Sequence, residues 1–247
     1  MRVFGCTDIG KVRRENQDCF GIREINDGIL AVVCDGMGGA AAGKLAGELS
    51  RTLFLNAAEA LLKANGGTRV AESLRTAVDS ANREIYRKAL MEPEYSGMGS
   101  TLVGLYVNND SVTLVNVGDS RGYRINGNRM IRLTHDHSYV QQLLDEGKIT
   151  REEARTHPRK NEITRVVGAE RFTLCDIFES DFEDNDIFLL CSDGLTNCLT
   201  ENAIHLCCLQ HDNPETLCRA LIEAALAAGA RDNVTCLALF FDRVVNS

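Results

Sequence analysis

The sequence lacks the features that mark several protein classes. It contains no run of about 18 consecutive apolar residues, the length a membrane-spanning helix needs. Its first residues, MRVFGCTDIGKVRREN, have no apolar stretch of the kind a secretory signal carries. A cytoplasmic protein without membrane contact is the expectation. Only three prolines occur, Pro93, Pro158 and Pro214, and no repeat, low-complexity segment or proline-rich linker divides the chain. One domain over residues 1–247 is therefore expected. Positive charge is in deficit, with 27 Lys and Arg against 35 Asp and Glu and a net charge of -8. Nucleic-acid footprints are normally basic, so no such partner is expected.

Ten cysteines are present, but no two stand in a C-x-x-C pair. Zinc ribbons and thioredoxin-like redox motifs thus have no support. Cys34, Cys191 and Cys236 lie within apolar runs, where cysteine behaves as a small hydrophobe. Reduced, mostly buried thiols are the reading.

What is there is an ordinary globular composition, 44% hydrophobic and 25% charged. Short apolar runs rich in β-branched residues predict strands over residues 28–34, 100–107, 111–117, 121–125, 129–133, 173–179, 186–191 and 233–241. Asn108-Asn109-Asp110 and Asn126-Gly127-Asn128 have the chemistry of hairpin turns, which implies antiparallel pairing. Ala46, Leu49, Leu53, Ala57, Ala60 and Leu61 recur at helical spacing, as do Val70, Leu74, Ala77, Ala81 and Ile85. A third helix is predicted over residues 214–228, with Pro214 near its start. The order is not an alternating βαβ series, so a parallel doubly wound sheet is disfavoured. An α+β fold of two packed antiparallel sheets with helices outside fits better. Residues 138–171 are polar and read as a small helical insert followed by a mobile loop.

Five short segments carry the chemistry: Arg13-Arg14-Glu15-Asn16-Gln17-Asp18, Asp35-Gly36-Met37-Gly38-Gly39, Gly118-Asp119-Ser120-Arg121, Ser192-Asp193-Gly194 and Asp232-Asn233-Val234-Thr235. Four of them place an aspartate beside an apolar strand-like run. Any one of them alone reads as a turn. All five together read as carboxylates that converge from strand ends. Gathered carboxylates repel unless cations neutralise them, and oxygen ligands suit hard ions such as Mg²⁺ and Mn²⁺.

These segments resemble the ordered motifs of the metal-dependent protein phosphatases of the protein phosphatase 2C type, in their compact bacterial form. Gly97-Met98-Gly99-Ser100-Thr101, Leu133-Thr134-x-Asp136-His137-Ser138 and Ile163-Thr164-Arg165 extend the match, which spans residues 8 to 235. The resemblance implies a four-layer α/β/β/α sandwich and a protein-serine/threonine phosphatase with Mn²⁺ or Mg²⁺, two ions at the core and a third beside them. It implies that Asp35 bridges two ions, that Asp193 and Asp232 complete one shell, and that the Gly36 carbonyl helps hold the second ion. By the same likeness Asp18 acts on the site directly or through water, and Asp119 joins Asp193 at the third ion. Arg13 matches the arginine that grips the substrate phosphate. The implied reaction is direct attack of a metal-bridging hydroxide on phosphoserine or phosphothreonine. No cysteine here stands six residues before an arginine, as a cysteine-nucleophile phosphatase requires. Phosphorylated proteins, and a cognate serine/threonine kinase, are the implied partners of a monomer, and residues 138–171 match the family's variable flap.

One departure stands out. Bacterial relatives carry a histidine, thought to be a general acid, straight after Asp-Gly-Met-Gly-Gly, where this chain has Ala40. His137 is the weak substitute, better read as a structural residue in its turn. The alternatives are a catalytically weak phosphoprotein-binding relative, a two-metal phosphodiesterase, or a purely structural binder.

Overall fold

The computed structural model describes residues 1–26, 28–108 and 111–241. Among the described residues, eleven strands form two antiparallel sheets. In chain order they are β1 (Arg2–Asp8), β2 (Asp18–Ile25), β3 (Gly28–Met37), β4 (Gly99–Ser100), β5 (Leu102–Val107), β6 (Val112–Val117), β7 (Arg121–Asn126), β8 (Arg129–Arg132), β9 (Asp176–Ser180), β10 (Ile187–Cys191) and β11 (Val234–Phe240). One sheet runs β1-β11-β10-β7-β8; the other runs β2-β3-β5-β6-β9, with β4 paired to β3. Helices α1 (Ala40–Ala64) and α2 (Val70–Met91) precede two short helices, α3 (Tyr139–Asp145) and α4 (Arg151–Thr156). Three more follow: α5 (Asp193–Cys198), α6 (Glu201–Leu209) and α7 (Pro214–Ala227).

Strand alternation sorts the core into three layers. On β3, Leu30, Val32 and Cys34 face α1 and α2, beside Phe54, Leu62, Leu74 and Ile85. Ile29, Ala31 and Val33 face the other way, towards Phe188, Leu190, Leu237 and Leu239 of the opposite sheet. The outer face of that sheet, with Leu189, Cys236 and Ala238, packs on Leu217, Leu221 and Ala225 of α7. The molecule is therefore the four-layer α/β/β/α sandwich that the motifs implied. Central strands are covered on both faces, which explains why β3, β5, β10 and β11 read as continuous apolar runs.

The differences from the sequence reading lie at the edges. Strands β1 and β2 have no counterpart in it, because both are partly exposed and each holds a glycine. Those glycines make room: a Cβ on Gly5 would stand 2.6 Å from the Phe20 ring, and one on Gly21 would stand 2.6 Å from Leu55. The strand expected over 173–179 begins only at Asp176, and α5 and α6 were not expected. The β7–β8 hairpin turns through Gly127 at φ 49° as its sequence predicts. Of the other predicted turn, Asn108 accepts from the Ser111 N–H, while Asn109 and Asp110 lie outside the described residues. The ten cysteines are free thiols and seven are buried. No helix among the described residues is long and apolar enough to cross a membrane.

Helix ends follow the capping rules. Asn213 caps α7 through hydrogen bonds accepted from the Glu215 and Thr216 N–H groups, with Pro214 in the first turn. Thr150 and Glu153 form a reciprocal capping box on α4.

Phe188 is fully buried between the sheets. Phe188→Ala is expected to lower the unfolding free energy by about 3–5 kcal/mol. Urea denaturation checks this; an unchanged midpoint contradicts the assigned core.

Candidate metal centre

Both sheets deliver aspartates to one end of the sandwich. Asp18 opens β2 and stands directly across from Asp35 on β3. Asp119 sits in the link between β6 and β7, after Gly118 at φ 104°. Asp193 follows β10 as the first residue of α5, and Asp232 stands two residues before the start of β11. The electrostatic neighbours of Asp35 are Asp18, Asp193, Asp119 and Asp232, so the five carboxylates share one field. Arg13 comes from the loop between β1 and β2 and donates to Asp232 Oδ2 at 2.8 Å. Every residue nominated from the sequence, Gly36 beside Asp35 included, thus lies in this one region.

Local packing explains the positions. The backbone at Gly36 runs so close to α1 that a Cβ there would lie 1.9 Å from the Gly43 carbonyl oxygen. Only glycine allows that approach, and it sets the strand end that carries Asp35. The Asp35 N–H donates to Thr101 Oγ1 at 3.0 Å, and Thr101 Oγ1 meets Ser120 Oγ at 2.8 Å, which ties β3 to the Asp119 link. The Ser192 hydroxyl donates to Asp18 Oδ2 at 2.7 Å while accepting from the Thr235 N–H at 3.1 Å. This relay joins the two sheets across the site. Asn233 clips the β1–β2 loop, donating from Nδ2 to the Ile9 and Glu15 carbonyls and accepting from the Gln17 N–H. Arg13 and Asp18 are thereby held against the start of β11. The Asn233 N–H also donates to Asp232 Oδ1 at 2.9 Å, so the residue supports that carboxylate as well as the loop.

Ser192, Thr235 and Thr101 were missed as contributors. They lie inside the quoted motifs, but nothing in a sequence shows which hydroxyl faces which carboxylate.

The electrostatics are adverse. Burial, then the charges of Asp18, Asp193 and Asp119, pushes Asp35 well above the usual carboxylate range. Burial, then Asp193 and Asp136, does the same to Asp119. Burial raises Asp18 to about 7 despite its bonds from Ser192 and Thr235. Burial and the Asp232 charge raise Asp193 to about 6. Two buried oxygens, Asp18 Oδ1 and Asp119 Oδ1, have no hydrogen-bond partner. A buried oxygen of this kind costs stability unless something positive approaches it. Among the described residues, no three of these carboxylates bring one oxygen each within 4.8 Å of one another. They stand around the site without three of them closing on one point. Oxygen-only donors, orphaned oxygens and suppressed ionisation fit hard divalent cations.

His137 does not face this space as an acid. It is buried, its Nδ1 accepts from the Gly118 N–H at 3.0 Å, and Nε2 lies 3.3 Å from Asp176 Oδ2. With Nδ1 accepting, the ring proton sits on Nε2 and points at Asp176. Burial also lowers the pKa of the ring. The histidine fastens the Asp119 link to β9, the structural role read from its turn.

A cleft of about 590 Å³ runs from Asp119 and Asp193 to α3 and α4, past Arg132, Gln141, Leu144 and Arg155. Arg121 lines it and forms a bidentate pair with Asp136, with contacts of 2.7 to 3.1 Å.

The carboxylate pKa values set a pH dependence for the metal-free protein. Asp18 and Asp193 have folded values of about 7 and about 6, above the ordinary value of 3.8. A raised acid stabilises the fold fully below its unfolded pKa and loses that contribution as pH rises through the folded one. Chelator-treated protein is expected to lose thermal stability between about pH 4 and pH 7 through these groups. Asp18→Asn flattens that slope. Melting curves across the range check it; a wild-type slope equal to that of the variant contradicts the assignment.

The protein phosphatase 2C family model matches residues 11–213. The serine/threonine phosphatase stp of Listeria welshimeri is 36% identical over 232 residues, covering 94% of this chain and 92% of its own. The crystal structure of the serine/threonine phosphatase Stp1 from Staphylococcus aureus superposes with a TM-score of 0.88 at 34% identity, covering 98% of this chain and 95% of that one. The catalytic domain of PstP, solved in complex with two manganese ions, gives a TM-score of 0.83 at 34% identity and covers 98% of both chains. The family match over most of the length agrees with the motifs and the four-layer fold: the chain belongs to the protein phosphatase 2C family.

Proposed function

We propose that this protein removes phosphate from phosphoserine and phosphothreonine residues of other proteins in a reaction that depends on Mn²⁺ or Mg²⁺. The observation that carries the reading is the ring of five aspartates with two orphaned buried oxygens and an arginine at its rim. Relatives named as serine/threonine phosphatases, and the two manganese ions of PstP, support it.

In this reading Asp35, Asp193, Asp232 and the Gly36 carbonyl hold two divalent cations, Asp18 acts directly or through water, and Asp119 with Asp193 holds a third. When bound, such cations supply an acidified water as nucleophile and positive charge facing the phosphate oxygens. The side chains do the rest. Arg13 offers an exposed guanidinium that binds phosphate through charge-assisted hydrogen bonds, exchanging its present partner Asp232 for substrate. Asn233 and the Ser192–Thr235 relay keep Arg13 and Asp18 in place, so the phosphate meets a prearranged site. The cleft beside α3 and α4 receives the polypeptide around the phosphoresidue, with residues 138–171 acting as a flap on a single catalytic domain. Phosphorylated proteins are the substrates, and the kinase that modifies them is the natural counterpart.

Protonation of the leaving serine alkoxide is the weak step. Helix α1 starts at Ala40, where relatives of the bacterial type carry histidine, and His137 is committed to Asp176. A positioned acid typically contributes about 10²–10⁴-fold. Aryl phosphates need little protonation of their leaving group. Phosphopeptide and aryl phosphate hydrolysis, with and without Mn²⁺, on wild type and Asp193→Ala, tests the proposal. The expected result is Mn²⁺-dependent release from both substrates, faster for the aryl ester by about 10²-fold or more, and lost in the variant. Equal turnover of the two esters contradicts the role given to Ala40. Metal-dependent binding of phosphopeptide without phosphate release would favour a regulatory phosphoprotein binder, the reading that Ala40 alone supports.

A further inference from the structure

Three cysteines remote in sequence meet beneath α7. Cys6 lies on β1, Cys236 directly across from it on β11, and Cys218 on α7. Their three sulfur atoms lie within 4.8 Å of one another, and the Cys6 and Cys236 sulfurs are 4.0 Å apart. Among the described residues no other set of three acidic, histidine or cysteine side chains converges in this way. Their neighbours Thr7 and Thr235 point to the opposite face of the sheet by strand alternation, and their hydroxyls meet at 2.6 Å. The Thr235 N–H feeds the Ser192–Asp18 relay. The thiols therefore lie on the outer, α7-facing side of β1 and β11, opposite Thr7 and Thr235 and away from the sheet that carries Asp18 and Asp35.

We propose that Cys6, Cys218 and Cys236 form a second metal site, which binds one zinc-class d¹⁰ cation through three thiolates and leaves its fourth position to solvent. The spacing is the first argument. The Cys6–Cys236 edge is 4.0 Å and the three sulfurs lie within 4.8 Å of one another, while a tetrahedral ion with zinc–thiolate bonds of ~2.3 Å needs edges of about 3.8 Å. Small rotations of the side chains close the remaining gap. Ligand chemistry is the second. Thiolates select soft ions, whereas the carboxylate ring selects hard ones, so the two sites do not compete for the same metal. Access is the third: Cys218 and Cys236 are buried, while Cys6 is half-buried and opens the cluster to solvent.

The thiols are held weakly at present. Cys218 Sγ donates to the Phe4 carbonyl at 3.4 Å and Cys236 Sγ to the Cys218 carbonyl at 3.6 Å. A bound cation lowers the cost of ionising all three thiols. The binding step balances: three thiols release three protons to water, and three sulfur–metal bonds form with no change of oxidation state. A disulfide between Cys6 and Cys236 would leave Cys218 without a role, whereas a three-thiolate site uses every sulfur. The ligands come from two strands and a helix, so binding staples α7 to the sheet beneath the strand that starts after Asp232.

Cobalt(II) is the probe, in protein reduced with a thiol-free reagent and saturated with Mn²⁺. One equivalent of Co²⁺ is expected to produce a sulfur-to-metal charge-transfer band that Zn²⁺ abolishes. Cys6→Ser and Cys218→Ala remove the band, while Cys198→Ser, outside the cluster, and Asp35→Asn keep it. Zn²⁺ also raises the thermal midpoint of wild type but not of Cys6→Ser. No band in reduced wild-type protein overturns the proposal, and that readout does not depend on any variant folding. A band that survives both cluster variants, or that vanishes in Asp35→Asn, also overturns it.

Discussion

The structure turns on a repulsion. Five carboxylates are brought to one end of a two-sheet sandwich, and burial there raises at least four of them above their ordinary range. No fold gathers such groups for stability, since each oxygen left without a partner costs desolvation energy. Asp18 and Asp119 each leave one buried oxygen in that condition. The arrangement makes physical sense only with positive charge at its centre. The protein supplies one such charge itself, the Arg13 guanidinium on Asp232, and that contact is exposed and exchangeable.

The remainder of the fold resists this repulsion. Three apolar layers fix the two sheets, and hydrogen bonds at the site end cross between them. Asp18 sits on one sheet, and its hydroxyl partner Ser192 is positioned by Thr235 of the other. Asn233 ties the Arg13 loop to the start of β11, and His137 ties the Asp119 link to β9 through Asp176. These contacts are short and local, so the carboxylates cannot relax apart by moving whole strands. These contacts hold the carboxylates in place before any cation arrives.

Much of this was legible in the residues. Central strands covered on both faces gave long apolar runs, and four of the five aspartates stood beside one, as Asp35 does on β3 and Asp193 after β10. Edges were harder. Strands β1 and β2 carry glycines that accommodate Phe20 and Leu55 from neighbouring elements, and this packing information lies outside the local sequence. Helix α5 was hidden because its first residues, Asp193 and Gly194, read as a turn. The supporting hydroxyls of Thr101, Ser192 and Thr235 were visible as motif letters only. Their targets depend on register between strands far apart in the chain. The cysteines were read as small hydrophobes, which fits Cys34 and Cys191. The meeting of Cys6, Cys218 and Cys236 needed the pairing of β1 with β11 and the docking of α7, and no spacing in the sequence announces it.

The central claim is that the aspartate ring is a binding site for more than one divalent cation, with Asp35 between them. Electron paramagnetic resonance during Mn²⁺ titration tests it most directly. The account predicts at least two Mn²⁺ bound per chain with spin coupling between them, and loss of that coupling in Asp35→Asn. A single isolated Mn²⁺ in the wild-type protein, or a coupled pair that persists in Asp35→Asn, would contradict it.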